Sequence, residues 1–180
     1  ESEGETDMSM WSASALWQPT DNFSLHLIYD DVDDKTPTRP VTCLTQAPEF
    51  LSFASPASEC PSVSDDNAHR TTHTTLPQDA FLEIETLTVT ADWQISDAHK
   101  ATLIYGNREM EENTQQEFDG VSADLFWTTR PQFEEQESIE VRLESDFNRV
   151  RTTVGAFIWD SEYSLWQNTY FFGGLFASPW

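Results

Sequence analysis

Apolar and polar residues alternate with a period of two through most of the hydrophobic part of this chain. That pattern favours half-covered strands over amphipathic helices. Met8 to Trp17 (M-S-M-W-S-A-S-A-L-W) sets Trp11, Ala13, Ala15 and Trp17 on one face. Phe23 to Tyr29 opposes Phe23, Leu25, Leu27 and Tyr29 to Ser24 and His26. Glu85 to Ile95 opposes Leu87, Val89, Ala91, Trp93 and Ile95 to Thr86, Thr88, Thr90, Asp92 and Gln94. Glu137 to Ser145 opposes Ile139, Val141 and Leu143 to Glu140, Arg142 and Glu144. Ala101 to Tyr105 and Arg151 to Trp159 are less regular but β-branched and aromatic. Six strands are therefore expected.

The connections alternate in length. Gln18–Asn22, Ser96–Lys100 and Asp146–Arg149 read as tight polar hairpin turns. The stretches Asp30–Ala80 and Asn107–Gln132 read as long loops, and the chain is expected to turn irregular again after Asp160. Compact soluble domains seldom carry structureless connections of about 20 residues or more. Short turns on one side and long loops on the other belong to transmembrane β-barrels, where the apolar face meets lipid and the polar face lines a wet lumen. Trp17, Phe23 and Trp93 cluster at the turn ends of their strands, where an aromatic girdle belongs. The expected fold class is thus all-β, an antiparallel up-and-down meander of about six strands. It forms a partial transmembrane barrel with long extracellular loops. A soluble β-sandwich with aromatic residues at its core edges is the alternative.

Charge narrows the partners. The 180 residues hold 32 Asp+Glu against 9 Lys+Arg, a formal charge of -23. Such a chain has too few cations to neutralise phosphates, so no nucleic-acid partner is expected. Aromatic residues make up 13%, more than an acidic disordered chain carries. No stretch is long and apolar enough for a membrane-spanning helix. The chain opens Glu-Ser-Glu-Gly-Glu, with no basic n-region and no initiator Met, so a piece of a longer protein is expected. Acidity on a cell exterior suits binding of divalent cations, binding of lipopolysaccharide through them, or a saline habitat.

In this order, the segments also resemble one family. W-Q-P-T-D-N-F-S-L (Trp17 to Leu25) and T-V-T-A-D-W-Q-I-S-D (Thr88 to Asp97) resemble strand ends of TonB-dependent outer-membrane receptors. T-L-I-Y-G-N-R-E (Thr102 to Glu109), Q-E-S-I-E-V-R-L-E-S (Gln136 to Ser145) and V-G-A-F-I-W (Val154 to Trp159) continue the likeness. The resemblance covers roughly Met8 to Tyr163 apart from the long loop. It implies residues 1–180 as an internal part of a receptor barrel in the outer membrane, with the plug domain and remaining strands absent. It further implies active uptake of a scarce small-molecule ligand, such as the metal chelate of a ferric siderophore. The other implied partners are outer-membrane lipid and the TonB energy-coupling protein, met through an N-terminal region not present here. The chain departs from the family in lacking a visible plug, a coupling box and a terminal strand of the expected kind.

No enzyme is expected. There is no G-x-S-x-G, phosphate loop or H-E-x-x-H. Glu111-Glu112 and Glu134-Glu135 read as solvated surface rather than as a catalytic acid and base. Asp30-Asp31-Val32-Asp33-Asp34 lacks the glycine and distal Glu of a calcium loop. His69 and His73 beside Asp65 and Asp66 read as polar loop. No catalytic residue, metal site or cofactor is therefore expected. The Thr86–Gln94 and Glu140–Glu144 stripes are expected to hydrate the lumen and touch the plug. Aromatic residues in the loops (Phe50 and Phe53; Phe118, Phe126 and Trp127; Trp166, Tyr170, Phe171 and Phe172) suit either a ligand rim or packing of the loops on each other.

Beside the receptor reading stand two others: an extracellular β-sandwich binding or adhesion module, and an acidic secreted hydrolase of jelly-roll type. In all three Cys43 and Cys60, both within one Pro/Ser/Thr-rich stretch, are expected to form a disulfide in an oxidising compartment, the alternative being two free thiols. Such a bridge stabilises by about 3 kcal/mol in the chain-entropy model. Thiol labelling of the unreduced protein is expected to find no free cysteine, and labelling of both would overturn the bridge.

Overall fold

The computed structural model describes residues 6–42, 79–121 and 124–172. Its strands are β1 (Met8–Thr20), β2 (Phe23–Asp34), β3 (Ala80–Ser96), β4 (His99–Glu117), β5 (Phe126–Asp146), β6 (Arg151–Leu165) and β7 (Asn168–Phe171). They form one antiparallel sheet in the order β1-β2-β3-β4-β5-β6, with β7 also on β5. The expected six-stranded meander is present. Among the described residues β1 and β6 do not pair, so the sheet is open.

Two expectations about length are corrected. The stretch 107–132 is not a loop, because β4 continues to Glu117 and β5 begins at Phe126. The chain also stays regular past Asp160, to Leu165. Alternation is weak in these stretches because both faces are polar, yet their backbones stay in register, Asn107 opposite Glu137 and Glu117 opposite Trp127. Ladder bonds need no apolar side chain. β5 reaches 21 residues, about 70 Å at the usual rise. Cys43, Cys60, His69 and His73 lie outside the described residues.

Two of the three turns are tighter than expected. Asp21-Asn22 joins β1 to β2, and Asp97-Ala98 joins β3 to β4. Residues 147–150 join β5 to β6, with Asn148 at φ 65°. Asn tolerates that left-handed region, and its N–H donates to Asp146 Oδ1 at 3.1 Å. At the opposite end Asp119 organises the short β4–β5 connection. Its carboxylate accepts the N–H groups of Val121 (3.1 Å), Leu125 (3.3 Å) and Phe126 (2.8 Å). Val121 and Leu125 there are the buried apolar side chains among the described residues.

β7 is β6 resumed. Gln132 opposes Leu165 and Thr129 opposes Asn168, so the register is unchanged across the gap. Trp166 N–H donates to the Pro131 carbonyl at 3.0 Å. In an antiparallel strand the N–H of that residue would point the same way, and proline has none. The ladder therefore misses one rung toward the edge, while pairing of Pro131 with Asn113 on β4 continues.

Pro131→Ala is expected to restore that rung. The new bond adds about 1 kcal/mol, and the freer unfolded chain offsets about 0.4–1 kcal/mol of it. Stability should hardly move, while the residue-131 amide becomes protected from hydrogen exchange. Loop-like exchange there would mean the break has another cause.

Candidate functional site

With the register continuous, residue parity assigns each side chain to a face. Face I carries Ala15, Leu27, Val89, Tyr105, Ile139 and Ile158 as one row of directly opposed residues. The next row toward the turns is Trp17, Leu25, Ala91, Leu103, Val141 and Ala156. Phe23, Trp93, Ala101, Leu143 and Val154 follow. These rows make an uncharged belt. Trp17 and Phe23 meet edge to face at 6.4 Å along its turn side, and Trp11 and Tyr29 meet at 5.1 Å on the far side. On β3 the belt runs from Leu87 to Ile95, about 27 Å along the strand; on β5 and β6 it begins one row later, because Glu137 and Asp160 stand level with Leu87. Nothing described covers it: Trp17 is 60% exposed and Ile158 72%.

Beyond the belt, toward the longer connections, face I turns acidic. Asp31, Glu85, Glu109, Glu135 and Glu162 are opposed in sequence across five strands. Asp33, Glu83 and Glu111 form a second row beside them. Every cation within the strands (Lys100, Arg108, Arg130, Arg142 and Arg151) has the parity of face II. On face I, among the described residues, only Lys35, just past β2, answers the acids, reaching Asp33 at 2.6 Å. At the tip of β2 the Thr36 hydroxyl and N–H hold the Asp34 carboxyl below its ordinary value.

Face II is cross-linked by polar side chains. Asp92 accepts from the Thr102 hydroxyl (2.7 Å) and pairs with Lys100 (2.8 Å). Arg108 pairs with Glu134 at 2.8 Å. Arg142 holds its strand neighbour Glu140 with two guanidinium nitrogens, one at 2.9 Å. Gln132 donates to Glu112 and accepts from the Tyr163 hydroxyl at 2.9 Å. The Thr86–Gln94 and Glu140–Glu144 stripes thus share a face, as their alternation indicates. Gly155 packs against β5 here, since a Cβ there would lie 2.7 Å from the Val141 carbonyl oxygen and 3.4 Å from Arg142 Cγ.

Face II also holds a feature the alternation conceals. Met10, Val32, Ile84 and Met110 form an apolar row level with the acidic half of face I. In β3 the apolar parity is even at Leu82 and Ile84 and odd from Leu87 onward. β1, β2, β4 and β6 change parity in the same way, β6 at Ile158-Trp159. The period stays at two while the apolar side changes face.

Five of the predicted loop aromatics are engaged with one another, while Phe50 and Phe53 lie outside the described residues. Phe126 stacks between Phe118 (5.0 Å) and Phe171 (4.8 Å), and Trp127 stacks on Tyr170 at 3.8 Å. Packing, the second of the two uses foreseen for them, accounts for these contacts. Asp30–Asp34 lies within β2, so alternation sends Asp31 and Asp33 to one face and Asp30 and Asp34 to the other. Glu111-Glu112 and Glu134-Glu135 are divided between the faces in the same way. Among the described residues no group of three or more His, Cys, Asp or Glu is disposed to hold a metal ion. An open groove of about 130 Å³ on the acidic half is lined by Glu83, Glu85, Glu109, Met110, Glu111 and Phe133.

No protein-family model, curated protein or solved structure matches this chain. The sheet and its surfaces define a class by themselves: an open antiparallel wall with an uncharged belt on one side.

Directly opposed like charges destabilise a sheet by roughly 0.2–1 kcal/mol per pair. Salt should relieve this, because the Debye length falls from about 30 Å at 0.01 M to about 3 Å at 1 M. Raising NaCl over that range is expected to slow amide exchange around Glu85, Glu109 and Glu135 by roughly 2- to 10-fold. Amides of the belt half should change less, and equal response of both halves would mean the carboxylates do not strain the ladder.

Proposed function

We propose that this chain is a section of the barrel wall of a TonB-dependent outer-membrane receptor, a transporter for a scarce ligand such as a ferric siderophore. The observation that carries the membrane part is the uncharged, aromatic-edged belt on face I of a sheet that has no covering layer among the described residues. Along β3, at the usual strand tilt, its height is about 20 Å, against the ~25 Å apolar band of such barrels, and it is one row shorter on β5 and β6. Short turns at one belt edge would face the periplasm. Long acidic strand ends would stand above the outer leaflet, where strands of up to 21 residues have room to project. The step to TonB-dependent uptake rests on the motif resemblance between Trp17 and Trp159. In this role the wall itself performs no chemistry. It would seat a plug and present loops, and energy would arrive through the plug.

An extracellular β-sandwich would use the same apolar face as half of a core. The acidic rows weigh against it, because a second sheet long enough to cover β3–β5 would enclose unpaired carboxylates. Strand length weighs the same way, since globular strands usually run 3–10 residues.

In a bilayer, Val89→Arg is expected to cost about 2–4 kcal/mol and Thr90→Arg much less. Size-exclusion chromatography without detergent should show aggregate, and a sharp monomer peak with a cooperative melt would overturn the membrane reading. The flanking gene sequence tests the receptor part. A plug domain before Glu1 and further hairpins after Trp180 are expected, whereas a signal sequence directly before Glu1 and a stop codon after Trp180 would sink it.

A further inference from the structure

The three turns at the belt end of the sheet differ in charge. Asp21-Asn22 and Asp97-Ala98 each present a carboxylate, whereas Phe147-Asn148-Arg149-Val150 presents a cation. In that turn Phe147 and Val150, both more than half exposed, flank Arg149. The Phe147 N–H donates to the Val150 carbonyl at 2.9 Å and closes the turn. The Phe147 ring meets His99, a face I residue, edge on at 5.7 Å, so it lies on the belt side. From Leu143 in the last belt row to Phe147 the descent is about 10 Å at the usual strand tilt, the depth of lipid headgroups below an apolar core.

Asp146, the acid nearest in sequence, is already engaged. One of its oxygens accepts the Asn148 N–H at 3.1 Å, and the other holds Arg151 at 3.0 Å. Arg149 is exposed and makes no ion pair among the described residues.

We propose that the β5–β6 turn docks the headgroup of an anionic phospholipid in the periplasmic leaflet. Phe147 and Val150 meet the upper acyl carbons, and the Arg149 guanidinium takes the phosphate. This rests on the reading of face I as lipid-facing, and not on the plug or on TonB. Charge complementarity selects the occupant. A zwitterionic lipid brings an ammonium group that offsets its own phosphate, while an anionic one leaves the phosphate to Arg149. A planar guanidinium matches two phosphate oxygens. The turns bearing Asp21 and Asp97 offer no such cation, so the lipid is held under β5–β6 in preference to them.

Access to the turn does not depend on where the sequence stops. Every break in the described chain falls at the other end of the sheet. Asp7 lies beside Lys35, Asp79 beside Gln115 and Phe172 beside Leu125, while 121 and 124 belong to the β4–β5 connection. From His99 to Gln115 β4 spans about 50 Å. Further strands of the same chain continue the wall beside β1 and β6, not over this turn.

Native mass spectrometry of the full-length protein in mild detergent, titrated with phosphatidylglycerol or phosphatidylcholine, tests the site. Phosphatidylglycerol is expected to bind more tightly. Arg149→Gln should weaken it about fivefold, the effect of one cation near an anionic surface, and leave phosphatidylcholine unchanged. Arg130→Gln removes an exposed cation from the far end of β5 and should change neither. Equal loss in both variants would mean that net charge acts instead of the turn, and would overturn the proposal. Displacement of the lipid by inorganic phosphate at constant ionic strength would reveal a free-phosphate site and also overturn it. A detergent-requiring protein whose Arg149→Gln variant keeps its preference would sink the headgroup site alone. A detergent-free monomer with a cooperative melt would sink the lipid-facing reading beneath it.

Discussion

The antiparallel backbone ladder holds this molecule together. With Val121 and Leu125 as the buried apolar side chains among the described residues, there is little core to do so. Register runs without a slip from Met8 through β6 except close to two turns, at Trp17/Thr20 and Gln94/Ser96. Because side chains alternate strictly, a one-residue slip in any strand would carry its belt residues to the other face. The tight turns Asp21-Asn22 and Asp97-Ala98 prevent that by fixing where each hairpin begins.

The ladder also explains how the sheet tolerates its charge. Five carboxylates stand in one row because backbone pairing places them there, and no cation of the strands shares their face. Their exposure to water and salt limits the penalty. Face II carries the opposite arrangement, with cations engaged in Asp92–Lys100, Arg108–Glu134 and Glu140–Arg142 pairs. The charged groups of the two faces differ in whether opposite charges stand beside them.

Strands whose two faces differ in hydrophobicity were legible in the sequence. Trp11 to Trp17, Phe23 to Tyr29 and Leu87 to Ile95 lie on one face because alternation is a direct record of it. The upper halves of β4 and β5 were not legible, because N-R-E-M-E-E and F-E-E-Q-E-S are polar on both sides and leave alternation no contrast. The acidic rows were hidden for another reason. Each acid is visible in the sequence, but their alignment depends on which strands are neighbours and in what register. The aromatic contacts Phe118–Phe126–Phe171 likewise needed the pairing of β7 with β5. The apolar row on face II left a readable mark, the change of parity between Ile84 and Leu87, that a search for period alone passes over.

That change of parity has a consequence for how the protein can vary. At one latitude the sheet exchanges its apolar side for its polar side, so the surface resembles a chessboard whose colours are swapped above a single line. Below the line, odd positions of β3 are apolar and even positions are polar or charged. Above the line, Glu83 and Glu85 hold the odd squares while Leu82 and Ile84 hold the even ones. An insertion of one residue on the line would bring the two halves of a strand into a common phase. Their sequences would then read as more regular while the strand lost its fit to both neighbours. Drift in such a wall is channelled by height as well as by face.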